Sequence, residues 1–305
     1  MALSNSKVGL GKIVNANHSI KLDYQHCLNI MGAASKNYSF ASRFLPKEKL
    51  QHVGALYAFL RVGDDRVDVS HVGFNTPLEA IEDWEYNYWH AFETGTSPHP
   101  VIRAYLDTAN KYEIPSKLMI PYFTAMKADL TITRFNTFED LVNYMEGSAM
   151  TVGRAMTHIL GVRPEYLMDE VLPYSDALSI AMQLSNFWRD VEYDWTIGRV
   201  YIPQEDLKKF GVSEDDIACR RLTPQFKELL KFEIDRTEHY YQKARLGIPM
   251  LANGHWGVHS GLEIYRAIIS KIQANHYNVF NQHTGANKLS KIALVLKSWW
   301  LTLNY

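Results

Sequence analysis

Apolar residues recur at the spacing of an α-helix through most of this 305-residue chain. They follow one another three or four positions apart from Leu50 to Leu60 and again from Leu178 to Leu184, whereas the alternation typical of strands is scarce. Proline and glycine fall between the periodic stretches, where they favour turns. The pattern predicts an all-α fold of helices joined by short turns. The predicted breaks are at Pro46, Pro77, Pro100, Pro115, Pro164, Pro173, Gly198, Pro203, Pro224 and Gly247.

The domain organisation is simple by the same criteria. No run of Ser, Gly or Pro is long enough to act as a linker, and no stretch of about 20–50 residues repeats. The sequence therefore predicts an N-terminal tail over residues 1–22 and one helical domain over residues 23–305.

The charge balance limits the classes of partner. Lys and Arg together number 32 and Asp and Glu 33, which gives a net charge of -1. Binding to nucleic acid phosphates needs an excess of basic residues, so no nucleic-acid partner is expected. Cys27 and Cys219 have neither metal-ligand nor redox spacing, which favours a reducing compartment. The expected location is the cytoplasm.

Neither end of the chain carries an export or membrane-spanning signal. Residues 1–23 lack the apolar run of a secretory signal, so no export is expected. Lys291 and Lys297 interrupt the apolar C-terminal residues before they reach the ~20 that a membrane span needs. Two interpretations of this Trp-containing segment stay open: peripheral contact with a membrane, and packing as an ordinary terminal helix. The sequence does not indicate an oligomeric state.

One helical stretch presents a stripe of polar side chains. Tyr57, Arg61, Asp64 and Asp68 fall within roughly 60° of one another on a helix with 100° per residue. One face thus carries a phenol, a guanidinium and two carboxylates. Taken alone, such a stripe is also typical of a solvated helix face.

A second stretch repeats this arrangement. Gln183, Asn186, Asp190 and Asp194 project onto one face within about 80°. Two helices that face each other with these aspartates would place four carboxylates around a cavity without any His or Cys. Oxygen ligands alone suit Mg²⁺, which keeps several waters and takes substrate phosphate oxygens into its shell.

Arginines accompany both stripes. Arg61 and Arg189 lie within one turn of the aspartates, and Arg199 follows the second helix. Planar guanidinium groups bind phosphate oxygens bidentately, so the set suits a diphosphate. Salt bridges to the neighbouring aspartates are the alternative for each arginine taken singly.

At these residues the chain resembles the squalene and phytoene synthase family, the head-to-head prenyl synthases. The resemblance covers most of the chain, from about residue 23 to residue 280. Its most specific stretch is Gln183–Pro203, which is similar to the family's second aspartate-rich region and the flap after it. The supporting stretches are Ser35–Phe40, Tyr57–Asp68, Tyr144–Gly153 and Tyr265.

The resemblance implies an isoprenoid synthase helical bundle around a central cavity, and a Mg²⁺-dependent prenyltransferase. It implies two prenyl diphosphate substrates, which condense through a cyclopropylcarbinyl diphosphate. The metal ligands implied for Mg²⁺, or alternatively Mn²⁺, are Asp64, Asp68, Asp190 and Asp194, which act in catalysis together with Tyr57 and Arg61. Substrate contacts are implied for Ser35, Tyr38, Arg61, Gln183, Asn186, Arg189, Arg199 and Tyr265.

The sequence departs from the family pattern at three places. Glu192 and Tyr193 stand between the second pair of aspartates, where Gly and Glu are usual. Glu146 and Met150 replace an aromatic residue and a glycine of many members, so a different cavity wall or helix kink is expected there. Residues 281–286 replace a basic patch, and no phosphate contact is carried over from them.

The product is predicted from the size of the cavity. Gly54 and Ser42 lie one turn from residues of the expected pocket, and both are small. We therefore expect room for two geranylgeranyl diphosphates and a phytoene product, with no nicotinamide cofactor.

Two alternatives remain. A squalene-branch enzyme, which makes presqualene diphosphate or hydroxysqualene, is favoured weakly by Asn186–Asp190 and by Asp194-Trp195. A catalytically silent scaffold member of the family is disfavoured because all four aspartates are present at the right spacing.

Overall fold

The computed structural model describes residues 20–34, 44–68, 73–280 and 288–303. This part of the chain holds helices, turns and two isolated β-bridges, and it has no strand, which confirms the all-α prediction. The α-helices in chain order are α1 (Ile20–Ala34), α2 (Lys47–Asp68), α3 (Pro77–Thr94), α4 (Pro100–Lys111), α5 (Met119–Ala128), α6 (Phe138–Met145), α7 (Thr151–Leu160), α8 (Met168–Thr196), α9 (Gln204–Phe210), α10 (Glu214–Ala218), α11 (Pro224–Gly247), α12 (His255–Ala274) and α13 (Lys288–Leu301). Short 3₁₀ turns occur at Ser116–Leu118 and Ile248–Met250, and a π-helical turn at Glu146–Met150 joins α6 to α7.

Threonine caps fix the start of several helices. The Thr76 hydroxyl accepts a hydrogen bond from the Glu79 backbone N–H at the start of α3. At α6 the Thr137 hydroxyl accepts from the Asp140 N–H, and the Asp140 carboxylate accepts in return from the Thr137 N–H. Such caps satisfy backbone donors that have no partner within the first helical turn.

The prediction of a break at Pro173 is wrong, because this residue lies inside α8. Proline removes one backbone donor and crowds the carbonyl four residues earlier. Pro173 stands near the beginning of α8, and the helix behind it buries side chains including Ala181, Leu184 and Trp188. This burial outweighs the loss of one hydrogen bond.

Contacts between side chains fix the directions of the central helices. The Trp188 indole donates a hydrogen bond to the Thr237 hydroxyl at 2.9 Å near one end of the α8–α11 contact. Gly247 packs against Tyr174 near the other end. Residue numbers rise along α11 as they fall along α8, so these two helices are antiparallel.

The buried side chains form two hydrophobic clusters. One is rich in aromatic residues from the first half of the chain, among them Phe59, Trp84 and Tyr105. The other is built mainly from α8, α11 and α12. Tyr144 and Val258 pack against both clusters, so the two meet along the centre of the bundle.

The C-terminal helix α13 packs on α12. The Trp256 indole donates to the Val295 carbonyl at 3.0 Å, and the His259 ring lies 3.0 Å from the Ser298 hydroxyl. Trp300, beyond these contacts, is 69% exposed. Within the described residues, no helix combines the length and the apolar character required to cross a membrane.

Candidate active site

A cavity of about 440 Å³ lies among the helices α2, α7, α8, α11 and α12. Polar side chains of α2, α8 and α12 gather at one end, which we call the mouth. The mouth residues that line the cavity are Tyr57, Arg61, Asp64, Gln183, Asn186 and Tyr265. Five residues predicted to bind substrate or act in catalysis thus share one cavity with a predicted metal ligand.

The opposite end of the cavity, which we call the floor, is aliphatic. Both α2 and α8 run from the floor to the mouth, because Leu45 lies just ahead of α2 and Val171 near the start of α8, whereas the mouth residues come later in each helix. At 1.5 Å per residue, the stretch of α8 from Val171 to Asp190 is about 28 Å long. The floor residues are Leu45, Leu160, Val171, Ile248 and Leu251.

The mouth collects negative charge from two sources. Asp64 and Asp68 lie in the last described turn of α2, and Asp190 and Asp194 lie near the end of α8. The C-terminal ends of helices carry partial negative charge, which disfavours carboxylates placed there. The arrangement is therefore electrostatically favourable only when cations compensate it.

Burial dominates the electrostatics of Asp64. It raises the pKa of this carboxyl to about 7, with the guanidinium of Arg61 opposing the shift and the charge of Asp68 adding to it. The Tyr122 hydroxyl donates to the Leu60 carbonyl at 2.7 Å and is also hydrogen-bonded to Asp64.

Gly63 is the residue that allows Tyr122 to reach this position. A Cβ atom at Gly63 would lie 1.9 Å from the Tyr122 hydroxyl oxygen, far inside van der Waals contact. A side chain at position 63 and the present position of Tyr122 therefore exclude each other.

Arg61 is held by a neighbour outside the predicted stripe. Its Nη2 lies 2.5 Å from the Asp65 carboxylate, one helical turn away, and both side chains are partly exposed. Its Nε is buried and has no hydrogen-bond partner among the described residues. A buried donor without a partner is costly, and an anionic ligand would satisfy it.

The aspartates of α8 lie at the rim of the mouth and not in the cavity wall. The Arg189 guanidinium forms a bidentate ion pair with the adjacent Asp190 at 2.7 and 2.5 Å. Burial raises the pKa of Asp194 to about 7, the charge of Asp190 raises it further, and Arg199 and Arg189 oppose the shift. The intervening Glu192 turns away and pairs with Arg220 at 2.8 Å.

The loop after α8 brings Arg199 back across the mouth. Its Nη2 donates to the Asp129 carbonyl at 3.0 Å and lies 3.8 Å from the Asp68 carboxylate. Its Nη1 donates to the Tyr201 hydroxyl at 3.2 Å. The charge of Arg199 also lowers the pKa of Asp194, so Arg199 interacts with the acidic ends of both α2 and α8.

Three residues of the mouth were not predicted from the sequence. Asp129 follows α5, and burial raises the pKa of its carboxyl to about 6 while a hydrogen bond from Tyr144 lowers it. Tyr144 is hydrogen-bonded to Tyr201 as well, and the Tyr201 ring stacks on Phe187 at 3.9 Å between centroids. Asp129 belongs to no spaced motif, whereas Tyr144 and Tyr201 lie within the stretches that carried the family resemblance.

Tyr265 completes the mouth from α12. Its hydroxyl is close enough to Arg189 for the guanidinium charge to lower its pKa, although burial raises the pKa overall. Tyr57 of α2 is the other titratable side chain near enough to affect the pKa of Tyr265, which it raises. Tyr265 therefore lies between the two predicted polar stripes.

The comparisons with known proteins identify the family. The family model described as squalene/phytoene synthase matches residues 31–293. The chain belongs to the squalene/phytoene synthase family. It is also 31% identical over 290 residues to the 15-cis-phytoene synthase of Synechocystis sp., a match that covers 92% of this chain and 86% of the relative. The family consists of prenyltransferases that act on prenyl diphosphates, so the predicted enzyme class is confirmed.

Solved structures agree with the membership of the squalene/phytoene synthase family. Squalene synthase HpnC from Alicyclobacillus acidocaldarius is 28% identical, with a TM-score of 0.76 over 85% of this chain and 96% of that chain. A dehydrosqualene synthase has a TM-score of 0.86 over 94% of this chain and 98% of that chain, at 24% identity. The predicted isoprenoid synthase helical bundle is thereby confirmed.

The carboxylates of this family member suit Mg²⁺ by their number and chemistry. Within the described residues, no three His, Cys, Asp or Glu side chains converge into one cluster. Each of α2 and α8 instead offers one pair of aspartates at the mouth. Mg²⁺ commonly binds one or two carboxylates and completes its octahedron with water and substrate phosphate oxygens. The metal role of the four aspartates stays a prediction.

The expectation that Gly54 enlarges the cavity of this synthase is wrong. A Cβ atom at Gly54 would lie 2.7 Å from Leu28 Cδ2, and Gly54 is not part of the cavity wall. The glycine allows α1 and α2 to approach each other. It lies about 60° around the helix from Tyr57, and this rotation is enough to turn it from the cavity towards α1.

Several predicted positions lie outside the described residues. They are Ser35, Tyr38, Ser42 and residues 281–286.

The π-helical turn stands where the sequence departs from the family pattern. Glu146–Met150 forms this wide turn, and the Thr151 hydroxyl donates to the Glu146 carbonyl at 3.1 Å. Ahead of the turn Tyr144 faces Asp129, while Ser148 and Val152 line the cavity. A π-helical turn is rare and is found often at functional sites.

Proposed function

We propose that this protein condenses two molecules of geranylgeranyl diphosphate head-to-head to phytoene through a cyclopropylcarbinyl diphosphate. The observation that carries the proposal is the polarity of the cavity, which has an acidic, arginine-flanked mouth and an aliphatic floor. The 31% identity to a 15-cis-phytoene synthase supports phytoene as the product. It also supports a role of this product in carotenoid biosynthesis.

The mouth is suited to bind and release diphosphate. Mg²⁺, held by Asp64 and Asp68 on one side and Asp190 and Asp194 on the other, would neutralise the departing diphosphate. Arg61 lines the cavity here, and its buried Nε–H, which has no hydrogen-bond partner among the described residues, would donate a hydrogen bond to a diphosphate oxygen.

The apolar walls are suited to the prenyl chains. Leu178, Met182 and Met156 line the middle of the cavity. They would hold the chains in reactive alignment and exclude water that would capture a carbocation. Tyr57 and Tyr265 belong to the mouth, where an allylic cation would form when diphosphate leaves.

Product analysis by mass tests the proposal. Purified protein is incubated with Mg²⁺ and geranylgeranyl or farnesyl diphosphate, without NADPH. We expect a C40 hydrocarbon from geranylgeranyl diphosphate, and its loss with the Asp194→Asn variant. If neither donor is consumed by a folded protein that binds Mg²⁺, the condensation proposal is wrong and the silent scaffold is favoured.

A squalene-branch activity is the second candidate. It is supported by the 28% identity to squalene synthase HpnC. Incubation with presqualene diphosphate, with and without NADPH, distinguishes this activity from phytoene formation. Formation of hydroxysqualene or squalene from this substrate, with no product from geranylgeranyl diphosphate, would assign the chain to that branch.

We also propose peripheral membrane contact through the end of α13. Trp299, Trp300 and Leu303 are exposed there by 48%, 69% and 55%. Aromatic residues of this kind are favoured at the membrane interface. The wild-type protein should sediment with phosphatidylglycerol vesicles, whereas the double variant Trp299→Ser/Trp300→Ser should stay in the supernatant. Equal sedimentation of the two proteins would refute the contact.

A further inference from the structure

We propose that Leu45 and Gly257, which pack against each other, limit the length of the prenyl chain at the floor of the cavity. The inference rests on the proposed function, since it concerns the substrate of that site. It replaces the role that the sequence suggested for Gly54.

The floor is an aliphatic part of the cavity lining, and Leu45 belongs to it. Leu45 immediately precedes Pro46 and the start of α2, and it is 9% exposed. It lines the cavity together with Leu160 and Leu251. No charged side chain belongs to this end of the lining within the described residues, so its selectivity is steric.

Leu45 packs against two glycines at the start of α12, and one of them, Gly257, lines the cavity as well. A Cβ atom at Gly257 would lie 2.5 Å from Leu45 Cδ2 and 3.0 Å from its Cγ. A Cβ atom at Gly254 would lie 3.2 Å from Leu45 Cδ2 and 2.8 Å from Leu160 Cδ2. The leucine therefore occupies the volume that any larger residue at these positions would need.

Gly257 is the position at which this contact can be changed without straining the backbone. Gly254 has a φ of 81°, so a side chain there is strained whatever the space. Gly257 lies inside α12, where alanine is favourable for the helix. An alanine at 257 must displace the Leu45 side chain, and since Leu45 and Gly257 both line the cavity, the added methyl group takes up space at the floor.

Substitutions at the two residues should change the selectivity for prenyl chain length in opposite directions. Gly257→Ala takes up space at the floor and shortens the cavity. Leu45→Ala removes the floor and lengthens it. A methylene in an apolar pocket changes selectivity by about ten-fold or more, and an isoprene unit is larger than that.

The chain offers matched controls for both variants. Gly54 and Leu28 form a similar glycine–leucine contact, 2.7 Å from a built Cβ to the leucine Cδ2, between α1 and α2 and away from the cavity. Gly54→Ala and Leu28→Ala thus reproduce the packing changes without touching the floor.

The experiment measures kcat/KM for farnesyl, geranylgeranyl and geranylfarnesyl diphosphate with the wild-type protein and the four variants. We expect Gly257→Ala to lower the preference for geranylgeranyl over farnesyl diphosphate by about ten-fold. We expect Leu45→Ala to raise relative use of geranylfarnesyl diphosphate by a similar factor. The control variants should retain the wild-type ratios.

A binding measurement separates this inference from the proposed function. Unreactive thiodiphosphate analogues of the same three chain lengths are added with Mg²⁺, and the shift in melting temperature is recorded. If the wild-type protein makes no product but the length preference of binding changes as described, the proposed function fails and the floor assignment stands. The floor assignment would be overturned if Leu45→Ala and Gly257→Ala both kept the wild-type length preference, or if the control variants changed it equally. Failure of Gly257→Ala to fold leaves Leu45→Ala as a sufficient test.

Discussion

Arg199 Nη2 lies 3.8 Å from the Asp68 carboxylate, although the two residues belong to segments that are far apart in the sequence. The loop that follows α8 thereby reaches the acidic end of α2. The same guanidinium donates to the Asp129 carbonyl and to Tyr201. One cation thus lies close to Asp68 and near enough to Asp194 to lower its pKa.

Replacing Arg199 by Lys should lower kcat/KM by about ten- to a hundred-fold. Lysine keeps the positive charge, but it lacks the planar guanidinium that can donate hydrogen bonds to Asp129, Tyr201 and a diphosphate at the same time. Asp68 is 56% exposed, so the ion pair contributes little to stability. Steady-state kinetics and thermal melts check both statements, and Lys127→Arg is a control for a cation outside the mouth. A wild-type kcat/KM in Arg199→Lys would contradict the bridging role.

Replacing Asp194 by Asn should abolish measurable turnover while the protein stays folded. The change removes a proposed metal ligand and retains the size of the side chain. Stabilisation by added Mg²⁺ together with an unreactive diphosphate should also decrease, which thermal melts can detect. Asp235→Asn on α11 is a matched control, because this residue is not among the predicted ligands. Full turnover in Asp194→Asn would remove this residue from the site.

Replacing Gly63 by Ala should lower both stability and activity. The added methyl group would lie 1.9 Å from the Tyr122 hydroxyl, so this side chain must leave Leu60 and Asp64. Overpacking of this kind costs about 1–3 kcal/mol. The double variant Gly63→Ala/Tyr122→Phe removes the colliding oxygen and should recover part of the loss in chemical denaturation. No recovery would show that the collision lies elsewhere.

Glu233 should make the free energy of unfolding fall as the pH rises from about 4.5 to about 8. Burial raises the pKa of this carboxyl to about 8, with Arg236 opposing the shift and Asp206 adding to it. A group whose pKa is higher in the folded state binds more protons there, so its contribution is complete below the unfolded pKa and is lost as the pH passes the folded one.

The Glu233→Gln variant isolates this contribution. It keeps the shape of the side chain and does not titrate. Denaturant unfolding between pH 5 and pH 9 should give a flatter profile for Glu233→Gln than for the wild-type protein. Parallel profiles would show that Glu233 has an ordinary pKa in the folded state.

The sequence predicts the residues of a single helix face well. Tyr57, Arg61 and Asp64 line the cavity together because a helix repeats every 3.6 residues and nothing interrupts α2 between them. Gln183 and Asn186 follow the same rule in α8. The helical repeat alone is enough to predict that these side chains share one face, and the neighbouring helices need not be known.

The same rule fails where the outcome depends on the neighbour. Gly54 lies only a little further around α2, but it faces Leu28 of α1. Asp129 joins the mouth because α5 ends there, and no spacing links it to the other acids. The partner of Arg61 is likewise Asp65, which a projection onto one face does not select. Tertiary packing decides all three.

The π-helical turn between Tyr144 and Thr151 has a consequence for how this protein tolerates insertions and deletions. A π-helical turn holds more residues than an α-helical one, so loss of a single residue within Glu146–Met150 would restore a regular α-helix. The segment ahead of the deletion would then rotate by about 100° relative to α7. Tyr144 would leave Asp129 while Val152 kept its place in the cavity. At this point of the chain the number of residues, and not only their identity, decides which side chains face the mouth.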